Sequence, residues 1–269
     1  MSIVLPTHNR PALLQEAVRS VLGQDITDWE LVVVDSGSDP PATVPADPRI
    51  RLVRLGVNLG PAVARNAGLA VATGEVVTFL DDDDAFTADR LRIGLEVLGT
   101  APVAVCGARF MGASGGAAMR RLDGDVGERI LDGPTPCLGA TTVRAECCLR
   151  FDERWCAVED VDWWRRLADR HPVCSDERIG YLVRKRDGPR SLNGTEARIR
   201  ENLELLDAEA TWFRAHPRAA AFRLRRTALL AASTGDRPRA RRLLLRSLRR
   251  RPTVRSGWHL LRTSLPGRR

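Results

Sequence analysis

Short apolar runs that stop at polar turns alternate with helical patterns through the first hundred residues, and this alternation restricts the chain to few architectures. Ser2–Leu5, Leu31–Val34, Ile50–Leu55 and Glu75–Leu80 read as strands, and Ala12–Leu22 and Pro61–Ala72 as helices between them. Continuous rather than alternating apolar runs mean strands buried on both faces, as in a mostly parallel central sheet flanked by helices. The expected class is therefore α/β, with a helical extension at the carboxyl end. Asn9 stands where it can cap a helix beginning near Arg10-Pro11, and Asn58 precedes the helix that carries Pro61 in its first turn. Ser36–Pro48 contains Pro40, Pro41, Pro45 and Pro48 and reads as a loop. Ligands in open α/β sheets bind outside the carboxyl ends of the strands, so Thr7-His8-Asn9, Asp35-Ser36 and Asp81–Asp84 are expected to line one crevice.

A length of 269 residues, 43% of them hydrophobic, supports one substantial core and a smaller appendage. Gly107–Gly139 is rich in small residues, with Gly-Ala-Ser-Gly-Gly at 112–116, and reads as a mobile loop. A helix over Val158–Arg170 and a strand over Arg178–Arg184 follow, and Arg186-Asp187-Gly188-Pro189 breaks the pattern. The expected domains are 1–193, in halves of about 1–100 and 101–193, and a basic helical extension at 194–269. The extension reads as helices over Ile199–Phe213, Ala219–Ala232, Arg237–Arg249 and Val254–Leu261.

Net charge is +8, and beyond residue 218 Asp236 is the only acid among many arginines. Such a patch suits phosphate, lipid headgroups or nucleic acid. Leucines 243, 244, 245 and 248 interleave with arginines over Arg237–Arg251, an apolar stripe beside a basic face that fits peripheral contact with an anionic membrane. Packing onto the first domain is the equal alternative. No nucleic acid is expected, because no reader motif accompanies the charge. No apolar run approaches the roughly 18 residues of a membrane span, and Met1–Leu5 runs directly into a polar turn. The expectation is a cytoplasmic protein, at most at the inner face of the membrane. Six cysteines without a CxxC pair, and four scattered histidines, point to reduced thiols and away from zinc.

Chemistry concentrates in the acids. Asp81-Asp82-Asp83-Asp84 follows a buried strand directly, and four carboxylates so close repel unless water or a cation relieves them. Hard oxygen ligands suit Mg²⁺ or Mn²⁺, which take one or two carboxylates and complete their shell with diphosphate oxygens and water. Residues two apart on an extended segment face one side, which assigns the metal to Asp81 and Asp83 and turns Asp82 towards the donor's sugar or ribose. The plain alternative is an acidic turn capping a helix at Thr87–Leu98, and Asp84 fits that role. Glu159-Asp160 opens another helix; a carboxylate there suits either a general base for an acceptor hydroxyl or simple dipole complementarity, and the residues alone leave the two even.

Ser2–Arg10, Val32–Ser38, Asn58-Leu59-Gly60, Ala64–Gly68, Gly74-Glu75 and Phe79–Asp84, in this order and spacing, resemble glycosyltransferase family 2, and Phe151–Leu167 extends the likeness. The resemblance implies a GT-A fold with Asp81–Asp83 as the metal motif and Asp160 as the base. It also implies a nucleotide pocket lined by Pro6, Thr7, Asn9 and Asp35, and inversion at the sugar carbon. Asp82 joins the donor side, as does Arg65 unless it merely packs on its helix; Glu159 and Trp155 are the acceptor-side candidates. Trp163 and Trp164, adjacent on an apolar helix, read as core. The segment 111–139 is a candidate for closing over the acceptor. Many relatives carry two acids where this chain has Asp35-Ser36, so a uridine donor is not implied and thymidine or guanosine stays open. Arg184-Lys185-Arg186 fits a phosphate clamp or a solvated strand end. The function implied is sugar transfer from a nucleotide diphosphate to a hydroxyl of a glycan, lipid-linked or small-molecule acceptor. The rival is a non-catalytic nucleotide-sugar or membrane-surface binding protein on the same fold. A dinucleotide oxidoreductase is disfavoured, because no GxGxxG follows the first strand.

Overall fold

Strands β1 (Ser2–Thr7), β2 (Glu30–Ser36) and β4 (Val76–Phe79) form where the apolar runs lie, and β3 (Ile50–Leu55) forms at the sheet's edge. The computed structural model describes residues 1–112, 122–184 and 192–264. Parallel pairing places β1 between β2 and β4, with β3 outside β2. Ile3, Val4, Leu5 and Leu31–Val34 are fully buried, as central strands covered on both faces require. Two β-strands from later in the chain, β6 (Val103–Phe110) and β8 (Val173–Val183), pair parallel to each other. Between them and the first half lies β7 (Thr141–Arg144), antiparallel to both β4 and β6, and the two-residue β5 (Ala85–Phe86) runs antiparallel to β8. The eight strands make one mixed sheet in the order β3-β2-β1-β4-β7-β6-β8-β5.

Helices α1 (Pro11–Leu22) and α2 (Pro61–Val71) both start on proline, whose missing N–H and fixed φ suit the first turn. Asn9 does not cap α1, contrary to the sequence expectation. It takes a left-handed φ of 53°, its N–H donates to Ser38 Oγ, and its side-chain oxygen accepts from Asp39 N, both at 2.9 Å. Asn9 thus ties two strand-end loops together. On α2, a Cβ at Gly68 would lie 2.5 Å from Val4 Cγ1, so the helix backbone presses directly on β1. Helices α3 (Arg90–Leu98) and α4 (Glu159–Ala168) complete this part.

The chain divides into two compact units, Met1–Val126 with Pro136–Arg186, and Gly127–Thr135 with Asp187–Arg269. The helical unit therefore takes in a short stretch from mid-chain that a single boundary near 193 does not include. Its helices are α5 (Leu192–Ala208), α6 (Ala210–Ala215), α7 (Pro217–Ser233), α8 (Arg237–Arg250) and α9 (Val254–Ser264). The helix expected over Ile199–Phe213 is broken at Glu209, between α5 and α6. Asp236 caps α8 by accepting from Arg239 N at 2.9 Å. Leu243 and Leu244 are buried and Ser247 Oγ donates to Ala221 O of α7 at 2.8 Å. Half of the α8 leucine stripe is thereby buried inside the unit, while Leu245 stays exposed. Among the described residues no helix is long and apolar enough to cross a membrane. All six cysteines are thiols. Residues 113–121, which include most of the 112–116 run, lie outside the described residues, whereas 122–139 is described and buries Leu122, Ile130 and Leu131, so this part of the expected mobile loop is packed.

Candidate functional site

The carboxyl end of β1 carries Thr7, whose hydroxyl donates to Asp82 Oδ2 at 2.9 Å. The acids after β4 are not extended: Asp84 N donates to Asp81 O at 3.1 Å, closing a turn over Asp81–Asp84. The premise that Asp81 and Asp83 share one side of a strand therefore fails, and the arginines sort the acids instead. Arg10, at the start of α1, donates from Nη1 to Asp82 Oδ1 at 2.8 Å and to Asp83 Oδ2 at 3.3 Å. Arg65 of α2 takes Asp81 Oδ1 at 2.8 Å. Repulsion within the cluster is thus already relieved by two guanidinium groups, a solution the sequence pattern alone did not reveal. Burial raises the Asp82 pKa, while Arg10 and Thr7 pull it back.

Arg65 is buried and bridges two elements, because its other Nη1 donates to Glu159 Oε1 at 2.9 Å. Burial opposes its charge, yet Asp81 and Glu159 more than compensate and hold its pKa above the usual range. Its Nε is buried without a partner. The next residue, Asn66, clamps the chain before α4: Nδ2 donates to Phe151 O at 2.9 Å and Glu153 Oε1 at 2.8 Å, and Oδ1 accepts from Phe151 N at 2.8 Å. Ala64–Gly68 therefore has three physical tasks: pairing acids, clamping a segment 85 residues away, and close packing on β1.

Glu159 is buried, and burial raises its pKa against the pull of Arg65, with Asp160 adding to the rise. This places Glu159 with Arg65 rather than facing an acceptor. Asp160 is half-buried, and its Oδ1 accepts from Val161 N at 2.8 Å. The thiol of Cys137 links the acids: burial first, then the charges of Asp84, Asp81 and Asp160, push it up to about 12. The geometric link is Arg65, which joins Asp81 to Glu159 and so brings the first turn of α4, with Asp160, to the Asp81–Asp84 turn. Asp84 does not cap α3. It is buried, accepts from Tyr181 Oη at 2.5 Å and Arg184 N at 2.7 Å, and burial raises its pKa from 3.8 to about 7. Arg184 also donates from Nε to Asp83 O at 3.0 Å and pairs with Glu16, so it belongs to the acid turn rather than to a solvated strand end. Lys185 and Arg186 fall outside the described residues.

A pocket of about 210 Å³ opens at the ends of β1 and β2, lined by Pro6, Thr7, Ser36, Asn58, Gly60 and Asp82 among others. Pro6, Thr7 and Asp82 were expected there; Asn9 lines a smaller neighbouring pocket. Asp35 is fully buried, its oxygens accepting from Ser38 N at 2.9 Å and Ala42 N at 3.0 Å, so it shapes the loop instead of facing the pocket. Gly60, at φ 93°, forms the start of α2; a Cβ there would lie 3.0 Å from Cys156 Sγ. Trp155 is buried, with Arg154 5.3 Å above its ring and its Nε1 without a partner. Trp163 and Trp164 are core, donating to Leu149 O at 2.7 Å and Pro136 O at 3.1 Å. Arg10, Asn66 and Tyr181 were missed as site residues. Asn66 could have been found from its place in the Ala64–Gly68 stretch that carries the resemblance, whereas Tyr181 offered only polarity in an apolar run.

The sequence profile for Glycosyl transferase family 2 matches residues 2–142. Among curated relatives, a GalNAc(5)-diNAcBac-PP-undecaprenol β-1,3-glucosyltransferase of Campylobacter jejuni is 39% identical over 98 residues, 34% of this chain and 32% of its own length. The chain spans about a third of the length of the curated relatives it matches. Among solved structures, S. aureus TarS 1-349 in complex with UDP-GlcNAc superposes with a TM-score of 0.64 at 18% identity, over 96% of this chain and 83% of that one. The mannosyltransferase PcManGT of Pyrobaculum calidifontis, in complex with GDP-Man and Mn²⁺, gives 0.60 at 18% identity, over 97% and 78%. These likenesses establish the shared fold.

Proposed function

We propose, on the premise that this chain belongs to glycosyl transferase family 2, that it moves a sugar from a nucleotide diphosphate to an acceptor hydroxyl with inversion, Asp160 acting as the base. Asp160 takes the proton of the acceptor hydroxyl; the acceptor oxygen bonds to the sugar carbon from the face opposite the nucleotide; the bond to the diphosphate breaks and the nucleotide leaves with its electron pair. The observation that carries this reading is Arg65, which joins Asp81 of the acid turn to Glu159, the neighbour of the base.

The nucleotide is assigned to the pocket at Pro6, Thr7 and Ser36, beside the amino end of α2, whose N–H groups and dipole suit a diphosphate. Asp81 and Asp83 are the residues that would hold Mg²⁺ or Mn²⁺, which when bound neutralises charge on the departing diphosphate. The donor chemistry supports this, since both are half-buried carboxylates, and an incoming ion would share them with Arg65 on Asp81 and Arg10 on Asp83. Among the described residues no three ligating side chains converge, so such an ion would complete its shell with donor oxygens and water, as Mg²⁺ commonly does. The acceptor is assigned to the glycan or lipid-linked class, supported by the undecaprenol-linked substrate in the name of the Campylobacter relative.

The test is Asp160→Asn. Transfer from the donor should be lost while donor binding, followed by thermal shift across UDP-, TDP- and GDP-sugars with and without Mn²⁺, stays at the parent level. Transfer at the parent rate by the variant would remove Asp160 from the base role.

A further inference from the structure

Helix α9 turns an apolar stripe outwards. Val254, Trp258 and Leu261 are 91%, 51% and 68% exposed, and spacings of four and three residues stack them on one face. The opposite face is anchored: Ser256 is buried, in hydrogen-bond contact with Ser247 of α8 at 3.2 Å and accepting from Thr253 Oγ1 at 2.9 Å. Packing within the helical unit thus fixes which side of α9 looks out.

The border of the stripe is cationic. Arg255 and Arg262 are exposed next to it, and the Arg262 guanidinium stands 4.6 Å over the Trp258 ring. Among the described residues neither guanidinium makes an ion pair, and Asp236, the only acid in the sequence beyond residue 218, is committed to the α8 cap. The shortage of negative charge is felt by the neighbours. His259 is pushed below its ordinary pKa by burial and then by Arg225, Arg262 and Arg255. Arg225 is lowered by burial and then by Arg255 and Arg226. An uncompensated cluster of arginines beside a tryptophan and two aliphatic side chains complements a surface that is anionic outside and apolar just beneath.

We infer that the outer face of α9 docks on an anionic lipid bilayer, with Val254, Trp258 and Leu261 entering the headgroup boundary and Arg255 and Arg262 meeting lipid phosphates. This places the bilayer contact on α9 in preference to α8, where Leu243 and Leu244 are buried. The inference is independent of the catalytic reading, since a chain that fails to transfer sugar can still bind vesicles and the reverse.

The full chain is sedimented with phosphatidylcholine vesicles, with and without phosphatidylglycerol. It should pellet with the anionic vesicles only, and salt should weaken the binding. Trp258→Ala with Leu261→Ala should weaken partitioning by about tenfold or more, and Arg255→Gln and Arg262→Gln by roughly fivefold each. All four residues are exposed, so the melting temperature should stay at the parent value. In a second measurement, brominated lipid should quench a component of fluorescence that Trp258→Phe removes. Pelleting of the variants at the parent level overturns the inference. So does failure of the parent to bind anionic vesicles, including the case in which Trp258→Ala converts a dimer to a monomer or abolishes binding to RNA, because a second copy or a nucleic acid then covers this face.

Discussion

Arg65 donates to Glu159 Oε1 at 2.9 Å across 94 residues of sequence. Through its second nitrogen it reaches Asp81, so a single buried guanidinium sets the separation between the acid turn after β4 and the first turn of α4. A buried ion pair of this kind contributes little as a pair, but removing one partner strands the other's charge. The geometry of the site and the stability of the unit are therefore coupled at this residue.

Arg65→Ala should destabilise the protein by about 3–5 kcal/mol, read as a lower denaturant midpoint, and reduce transfer by about a hundredfold or more through misplacement of the acids. Adding Glu159→Gln removes the stranded charge, so the double variant should regain most of the stability and none of the transfer. If the double variant melts no higher than the single one, the stranded-charge account is wrong.

Asn66→Ala leaves Phe151 N and O without their partners. The expected cost is about 1–3 kcal/mol in stability. Because the clamped segment leads into α4 and not into the pocket at Thr7, donor affinity should hold while turnover falls. A fall in donor affinity with turnover unchanged would contradict this assignment.

Asp84 gives stability a pH dependence with a definite sign. Its pKa is about 7 in the folded protein and 3.8 as the ordinary value, so between these the native state holds a proton that the unfolded chain has released. Its contribution is complete below about pH 4 and is lost as pH rises through about 7. Asp84→Asn cannot titrate, so its melting temperature relative to the parent should climb over that window and level off above it. Parallel profiles for the two proteins would rule the effect out.

Gly68 tests the contact of α2 with β1. A methyl group there meets Val4 Cγ1 at 2.5 Å, on a fully buried and rotamer-restricted side chain. Gly68→Ala should lower stability by about 1–3 kcal/mol despite the better helix propensity of alanine, because overpacking outweighs it. A raised melting point would mean that α2 can lift off the sheet.

Sequence reading located the strands and helix starts well where local chemistry decides them: Leu31–Val34 has only one comfortable environment, and Pro11 and Pro61 have few places in a helix other than its first turn. It brought Pro6, Thr7 and Asp82 to one pocket for the same reason, since strand ends are set by the fold class. Partnerships were illegible. Nothing near Tyr181 signals Asp84, 97 residues away, and nothing near Arg10 signals Asp82, 72 residues away. Asn9 carried a sound capping signal, but its side-chain oxygen was taken by Asp39. The α8 leucines show the other limit: a stripe of apolar residues announces that something covers it, and α7 does so as readily as a bilayer.

The contact between Gly60 and Cys156 fixes how closely the segment before α4 approaches the mouth of α2. A Cβ on Gly60 would lie 3.0 Å from that sulfur, so the backbone at the mouth of α2 and the residue facing it are complementary in size. Position 156 belongs to the segment that leads into α4, whereas Pro6, Thr7 and Ser36 are fixed by the sheet. Any side chain at 60 would have to push that segment away and would also strain a backbone held at φ 93°, so one glycine spaces the strand-end pocket from the run of chain that delivers Asp160.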